Sequence, residues 1–218
     1  MTLSKPWNWK LSENPVWLEP SDESRAIAER WKTDGVESVL DFGCGLGRHA
    51  ILFAQRGFRV SAFDLSQDAV DHLNAWAERE NLTIRAETAD MLNLPYNDNA
   101  FDAVFAFHTV FHTDSAGIQK IISEIKRVLK PKGRLYLTLG SKGAWSFKDA
   151  GFPRIDASTI VKIEDGPENG IPHFYADFDD LPRLFAGFNL INVRHVDQCL
   201  FNGKPRNSKH YFIEASLN

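Results

Sequence analysis

Three glycines at alternate positions most clearly point to a ligand site in this sequence. Gly43, Gly45 and Gly47 follow the apolar run Val36–Phe42 and precede a stretch of helical character. Glycines at such positions allow a tight turn and leave backbone N–H groups open to a close ligand. Because a helix begins directly after the loop, the pattern is typical of a nucleotide-type binding site.

Two carboxylates frame this loop. Asp41 precedes it, and Asp64 ends the next apolar run, about 20 positions further on, where dinucleotide-binding proteins place an acidic residue. The third glycine of that fingerprint is absent, because Arg48 takes its place. Asp41 would repel a pyrophosphate but would favour an ammonium or sulfonium group. A nicotinamide-dependent oxidoreductase is therefore the weaker of two interpretations.

Alternating strands and helices must position these residues. Each predicted strand is short, apolar and rich in β-branched or aromatic residues, and each is separated from the next by a predicted helix or by a turn-rich segment. The predicted strands are Val36–Phe42, Phe58–Asp64, Leu82–Ala89, Phe101–Phe107 and Arg134–Leu139, and the predicted helices are Ser21–Thr33, Arg48–Arg56, Ser66–Glu80 and Ser115–Leu129. Right-handed crossovers place such strands parallel in one sheet with helices on both faces.

The last third of the chain departs from this alternation. A short helix over Asp179–Gly187 is followed by two predicted strands, Phe188–Val196 and Lys209–Ala215, whose short turn-rich link makes them antiparallel. We therefore predict one α/β domain over residues 1–218, a doubly wound, mostly parallel seven-stranded sheet with an antiparallel last strand. The Gly/Pro-rich stretch 141–178 follows a strand's carboxyl end, so we expect a substrate-cover insertion there. Residues 1–20 form a tryptophan-rich N-terminal strap.

Composition narrows the class of protein. The chain has 218 residues, a formal net charge of −4, two cysteines and 43% hydrophobic residues. It lacks a secretory leader and any apolar run long enough to span a bilayer, so we expect a cytoplasmic protein without a membrane partner. The acidic balance disfavours nucleic acid as a partner. The sequence does not predict the oligomeric state.

Five motifs in order carry a resemblance to a known family. They are D-x-G-C-G-x-G-R at Asp41–Arg48, Asp64 at the second strand end, Ala89-Asp90-Met91 after the third strand, Phe101–Val104 in the fourth, and Leu129–Arg134 before the fifth. The series resembles the Rossmann-like S-adenosylmethionine-dependent methyltransferases over about residues 36–140. That family's sheet also has an antiparallel last strand, which fits the predicted tail.

The resemblance implies S-adenosylmethionine as the cofactor and methyl transfer by in-line displacement. Asp41 would take the ammonium, the loop amides the amino-acid end, Asp64 the ribose diol and Asp90 the adenine amine. The predicted cofactor-binding residues are Asp41, Gly43, Cys44, Gly45, Gly47, Asp64, Leu65, Asp90, Met91, Phe107 and His108. We expect Cys44 to act through its small size, since nothing nearby in sequence would make it a nucleophile.

A small-molecule acceptor is the expected substrate, with oxygen, sulfur or another chalcogen, or a small amine as the methylated atom. The fourth strand ends in Phe107-His108-Thr109 and lacks the Asn-Pro-Pro-aromatic run of enzymes that methylate base amines. A domain that binds the cofactor without catalysis is a further alternative. It would show cofactor binding without transfer to any acceptor.

Two histidines are the candidate catalytic bases. His108 follows the fourth strand, and His112 lies four residues further on. The same spacing would suit two metal ligands on a helix, but no third ligand has a matching spacing, so we predict no metal. Trp17, His173 and Tyr175 are the candidate substrate contacts. The remaining histidines, His49, His72, His195 and His210, are expected on helix surfaces or strands.

Overall fold

Helices and strands alternate through the first two thirds of the chain, as predicted. The protein is described by a computed structural model over residues 4–12, 15–201 and 204–218. The alternating elements are α1 (Asp22–Thr33), β1 (Ser38–Phe42), α2 (Arg48–Gln55), β2 (Arg59–Asp64), α3 (Gln67–Arg79), β3 (Ile84–Thr88), β4 (Phe101–Ala106), α4 (Ser115–Val128) and β5 (Leu129–Ser141).

Local sequence signals explain where the helices begin. The Ser21 hydroxyl accepts a hydrogen bond from the Ser24 amide at the start of α1. The Asp114 carboxylate accepts from the amides of Ala116 and Gly117 at the start of α4. Such caps satisfy amides that have no partner inside the helix.

The sheet is mostly parallel and has an antiparallel end, as predicted. Its parallel part runs β3-β2-β1-β4-β5. Strand β10 (Lys204–Leu217) pairs antiparallel with β5, and β9 (Phe188–Phe201) pairs with β10 beyond it. Strands β1 and β4 are parallel neighbours, but the strand order changes direction between them. Their carboxyl ends therefore form the switch point at which such sheets bind ligands.

The stretch 141–178 is more regular than the sequence indicates. The segment forms α5 (Trp145–Lys148), β6 (Arg154–Asp156), β7 (Thr159–Val161) and β8 (Pro172–Ala176), and its role as a substrate cover stays a prediction. Strand β8 pairs parallel with the last residues of β5 and antiparallel with β7, which brings the sheet to ten strands. Strands of three to five residues between Gly/Pro breaks are too short to show a periodicity.

The tail also differs in detail from the prediction. The expected helix over 179–187 is a 3₁₀ turn at Phe178–Asp180 followed by the single turn α6 (Leu181–Leu184). Strands β9 and β10 extend well into the predicted link, of which residues 202 and 203 lie outside the described part of the chain.

Two apolar layers cover the two faces of the sheet. Trp31 of α1 stacks on Phe53 of α2 and meets Phe105 of β4 edge-on, and all three are buried. On the opposite face, α4 buries Ile118, Ile121 and the apolar side chains that follow at helical spacing. Burying both faces fixes the strands, so the loops at their carboxyl ends start from a rigid base. No helix in the described residues is long and apolar enough to cross a membrane.

Candidate functional site

The glycine loop lies at the carboxyl end of β1, as the sequence predicts. Gly43 and Gly45 have φ values of +67° and +53°, a region that favours glycine. A Cβ on Gly43 would lie 2.1 Å from Oγ1 of Thr109, and one on Gly45 would lie 2.6 Å from the Trp9 ring. Gly47 begins α2 as its N-cap residue. The loop is therefore bare backbone covered by neighbours that leave no room for side chains.

Asp41 is a buried carboxylate beneath this loop. It is 1% exposed, and its Oδ2 has no hydrogen-bond partner. Burial raises the pKa of Asp41 to about 7, against the effects of the Ala50 amide and the Arg48 guanidinium. An unpartnered buried carboxylate oxygen is costly, so it suits a ligand that brings a positively charged donor.

Asp64 connects the end of β2 to the same loop. Its Oδ2 accepts from the Gly45 amide and its Oδ1 from the Ser66 amide, both at 2.9 Å. Burial raises the pKa of Asp64, while these two amides lower it. Each carboxylate oxygen can accept more than one hydrogen bond, so the group retains capacity for a diol.

Asp90 and Met91 follow β3 and complete the row of strand ends. The Asp90 carboxylate accepts from the Leu92 amide at 2.9 Å and so holds its own turn. The same cleft is lined by nine of the eleven predicted cofactor residues: Gly43, Cys44, Gly45, Asp64, Leu65, Asp90, Met91, Phe107 and His108. The other two do not line it, because Asp41 is buried in β1 and Gly47 is the N-cap residue of α2. Burial raises the pKa of the Cys44 thiol well above its usual range, which leaves it unreactive.

The N-terminal strap closes the cleft from above. Trp7 stacks on Trp9 with ring centroids 5.1 Å apart, and Trp17 meets Trp7 edge-on at 5.2 Å. The indole nitrogen of Trp7 is buried and has no hydrogen-bond partner among the described residues, whereas the Trp9 side chain faces Asp64 and helps to lower the pKa of that carboxyl. The Arg48 guanidinium donates to the Val16 carbonyl at 2.6 Å and lies 5.4 Å from the Trp17 ring. Arg48 therefore holds the strap, a role that its place in the motif did not indicate.

His108 follows β4 in a strained backbone conformation with φ of +54°. Its amide donates to Oγ1 of Thr138 at 2.7 Å, and its Nδ1 lies 3.3 Å from the same oxygen. Burial lowers the pKa of His108 well below its usual range, and nearby His210 and Arg48 lower it further. The imidazole is therefore neutral at pH 7.

His112 lies near His108 in sequence but faces a different group. Its ring contacts Trp7 at 5.5 Å and His173 at 4.7 Å between centroids. Its Nε2 lies 3.6 Å from the carboxylate of Glu168. The loop from 107 to 114 is not helical, so His108 and His112 do not share a helix face.

Two of the three predicted substrate contacts lie away from the cleft. Trp17 lines it, whereas His173 and Tyr175 are buried in β8 and do not. The Tyr175 hydroxyl lies 2.8 Å from the Ser146 hydroxyl, and burial raises the pKa of Tyr175 to about 12. Their places in β8 follow from its pairing with β5, which the sequence does not reveal.

One histidine is placed wrongly by the sequence. His49 was expected on a helix surface, but it is 4% exposed and packs edge-on against Phe105 and Phe107. Its Nε2 accepts from the Ser21 amide at 3.4 Å, which links α2 to the start of α1. The short helix α2 is buried on nearly all sides, so it has no polar face to mark. Thr109, whose side chain leaves no room for a Cβ on Gly43, also lines the cleft, and no sequence motif indicates it.

Residues 39–133 match a family model described as a methyltransferase domain. The sterol 24-C-methyltransferase ERG6B of Gibberella zeae is 36% identical over 100 residues, which are 44% of this chain and 25% of that protein. The methyltransferase GfsG of Streptomyces halstedii is 32% identical over 132 residues, 59% of this chain and 47% of that protein. The chain thus spans about half or less of these relatives.

Solved structures agree on the fold. A SAM-dependent methyltransferase from Methanosarcina mazei aligns with a TM-score of 0.70 at 19% identity, over 83% of this chain and 92% of that chain. At this identity the likeness concerns the arrangement of helices and strands. The residues that choose a substrate need a separate argument.

Proposed function

We propose that this chain, whose residues 39–133 match a methyltransferase domain, is a Rossmann-like S-adenosylmethionine-dependent methyltransferase that methylates a small-molecule acceptor. The acceptor atom is oxygen, sulfur or another chalcogen, or the nitrogen of a small amine. The family match and the methyltransferase relatives do not favour the alternative of a nicotinamide-dependent oxidoreductase.

The buried oxygen of Asp41 is the observation that carries this proposal. Among the described residues Oδ2 has no hydrogen-bond partner, and the buried carboxylate lies at the end of β1, directly before the glycine loop. A ligand that carries an ammonium group suits this oxygen, because the ammonium can donate a hydrogen bond to Asp41. A pyrophosphate would place negative charge beside Asp41.

Two further acids suit the rest of such a cofactor. Asp64 keeps free lone pairs on both oxygens and can accept from two ribose hydroxyls. Asp90 is held by the Leu92 amide at the far end of the cleft, where it can accept from an adenine amine. Three acids from successive strand ends therefore match three donor groups along one molecule.

Methyl transfer requires the protein mainly to position the two reactants and to exclude water from them. S-adenosylmethionine supplies an activated methyl on a sulfonium when it is bound. The strap tryptophans exclude water from the cleft and present ring faces that favour a cation. As the acceptor forms its bond to the methyl carbon, the carbon–sulfur electron pair stays on sulfur, and a protic acceptor must lose a proton.

His108 and His112 are our candidates for the group that takes this proton. Both line the cleft, and the His108 imidazole is neutral because burial lowers its pKa. If the Nδ1–H of His108 donates to the Thr138 hydroxyl, Nε2 is left as the acceptor. A low pKa makes His108 a weak base, which suits acceptors whose own proton is acidic, such as thiols and phenols.

The strap and the acidic balance support a small acceptor and argue against nucleic acid. Residues from the strap form one wall of the cleft, so the chain itself covers the acceptor end. A net charge of −4 gives no general attraction for phosphates. Cys44 and Cys199 are free thiols, which fits the proposed cytoplasmic location.

Calorimetric titration of the full chain tests the cofactor. We expect S-adenosylmethionine and its demethylated product to bind with one site per chain, and NAD to bind far more weakly or not at all. Tighter binding of NAD would overturn the proposal.

A second experiment tests the transfer. Methyl-labelled cofactor is offered with a panel of small thiols, phenols, selenols and amines, and label in the organic product is counted. Transfer to at least one class is expected, with His108→Ala losing much more rate than cofactor affinity. Binding without transfer to any acceptor would favour the non-catalytic alternative.

A further inference from the structure

Three side chains that could ligate a metal meet beside the cleft. His112 follows β4, Glu168 lies in the connection between β7 and β8, and His173 lies in β8. One ligand atom from each lies within 4.8 Å of the other two. The sequence could not indicate this group, because more than 50 residues separate His112 from Glu168.

Backbone contacts hold the three residues together. The Phe174 amide in β8 donates to the Phe111 carbonyl at 2.8 Å, which places His112 and His173 side by side. The Ile171 amide donates to the Glu168 carbonyl at 3.0 Å and closes the turn that carries the glutamate. The cluster is therefore preorganised by main-chain hydrogen bonds and does not rely on exposed side chains.

Hydrogen bonds direct the ligand atoms toward one point. His173 Nδ1 lies 2.9 Å from the Ile171 carbonyl, to which only a protonated nitrogen can bond, so Nε2 is left facing Glu168 Oε1 at 3.2 Å. Lys162 binds the other oxygen, Oε2, and so fixes which oxygen faces the two rings. An Nδ1–H bonded to a main-chain carbonyl is the arrangement that orients metal-ligating histidines through Nε2.

His112 supplies the second, independent observation. Its Nε2 is buried, and the nearest carboxylate oxygen, the same Oε1 of Glu168, lies 3.6 Å away, just beyond hydrogen-bond distance. Two imidazole nitrogens thus converge on one carboxylate oxygen. If neither nitrogen carries a proton, three lone pairs face one another, and a cation between them removes the repulsion.

The spacing and the donor set suit a transition metal. At metal–ligand distances of about 2.1 Å, tetrahedral ligands lie roughly 3.4 Å apart, close to the 3.2 and 3.6 Å found between the nitrogens and Oε1. Two histidines and one carboxylate are typical of zinc and of other divalent first-row ions, with a further position left open. Hard cations such as Mg²⁺ prefer oxygen ligands.

We propose that His112, Glu168 and His173 bind one divalent first-row transition-metal ion, for which Zn²⁺ is the probe. The ion joins the cover insertion to the loop after β4, and because His112 lines the cleft, it lies at the acceptor end. This site is separate from the strand-end acids, and its test does not depend on methyl transfer. When the ion occupies Nε2 of His112, His108 remains as the candidate that takes the proton of the acceptor.

Metal binding by the full chain tests the proposal. The purified protein is stripped with chelator and titrated with ZnCl₂ by calorimetry, and with CoCl₂ by visible absorption, which reports tetrahedral geometry. We expect one equivalent of Zn²⁺ per chain and a higher melting temperature with the metal, because an ion that binds the folded state stabilises it.

Variants locate the ion. His112→Gln, Glu168→Gln and His173→Gln should each weaken Zn²⁺ binding by about 100-fold or more, because each substitution removes a metal ligand. The loss of a group that only orients a ligand already weakens metal affinity by about 10- to 100-fold. The matched control is His195→Gln, an exposed histidine of β9 whose Nε2 bonds the Ser141 hydroxyl, and it should bind as the parent does. Circular dichroism checks that each variant is folded.

Two outcomes would overturn the site. One is the absence of stoichiometric Zn²⁺ binding by the parent chain near neutral pH. The other is binding that survives both Glu168→Gln and His173→Gln, which would place the ion elsewhere. Neither result depends on a methyl acceptor, and titration of the same samples with S-adenosylhomocysteine reports the strand-end site separately.

Discussion

Two sides of the cleft are built in different ways. The donor side consists of the glycine loop and the three acids at the ends of β1, β2 and β3. The side that we propose receives the acceptor consists of the strap and the loop after β4, with Glu168 of the connection before β8 packed beside His112, and these segments come from distant parts of the chain. On the donor side the backbone of one sheet sets each position, whereas on the acceptor side contacts between separate segments do so.

This difference implies different responses to mutation. A change on the donor side alters a position that strand geometry already determines, so nothing nearby can relax to restore it. A change on the acceptor side alters one contact among several, and segments joined by side chains can adjust. The following predictions test this contrast, from the largest expected loss to the smallest.

Gly43→Ala should cause the largest loss. A Cβ there meets Oγ1 of Thr109 at 2.1 Å, and the φ of +67° adds strain. We expect a loss of about 3 kcal/mol in the free energy of unfolding, measured with denaturant, and loss of cofactor binding. The control is Gly151→Ala, with φ of +69° and no atom within 4 Å, which should lose only about 1 kcal/mol. Equal losses would show that the close approach to Thr109 is unimportant.

Asp41→Asn should stabilise the protein in a pH-dependent way. The pKa of Asp41 is about 7 in the folded protein and 3.8 in the unfolded chain, so the folded state binds the extra proton between these values. Asp41 therefore lowers stability as the pH rises from about 4 to 7. We expect the variant to gain up to about 4 kcal/mol at pH 8, because each unit of difference between the two pKa values corresponds to about 1.4 kcal/mol, and only about 0.5 kcal/mol at pH 4. Denaturant melts at both pH values measure this, and a gain that does not change with pH would contradict it.

The same substitution should weaken cofactor binding. Removal of the charge under the loop removes the acceptor for an ammonium, and we expect about a tenfold loss of affinity for S-adenosylhomocysteine, or about 1.4 kcal/mol. Calorimetry measures it at pH 8, where Asp41 is ionised. If the affinity for S-adenosylhomocysteine stays the same while stability rises, Asp41 does not bind the cofactor.

Tyr175→Phe should have the smallest effect. The hydroxyl bonds Ser146 and lies away from the cleft, so its loss should cost about 1 kcal/mol of stability. The KM for any acceptor found in the screen should stay the same. A changed KM with unchanged stability would instead support Tyr175 as a substrate contact, as predicted from the sequence.

The contrast also explains what the sequence could predict. Asp41, Asp64 and Asp90 lie at or just after the carboxyl ends of three strands in a regular series. Because parallel strands bring their carboxyl ends to one edge of a sheet, the placement of the three acids at that edge could be derived from the sequence. The grouping of His112 with Glu168 could not, because it depends on how the β7–β8 connection folds back. The sequence misplaces His49 because α2 is buried on nearly all sides, so a polar residue type there does not indicate an exposed position.

The pairing of β8 bears on how such a domain can diversify. Its parallel hydrogen-bonded register with β5 involves only Gly140 and Ser141, opposite Tyr175 and Ala176. An insertion attached to the sheet through so brief a register can be exchanged as a cassette, provided that its final strand ends in the same place. Grafting other insertions between β5 and β8 would thus be a route to new acceptors that leaves the donor half untouched.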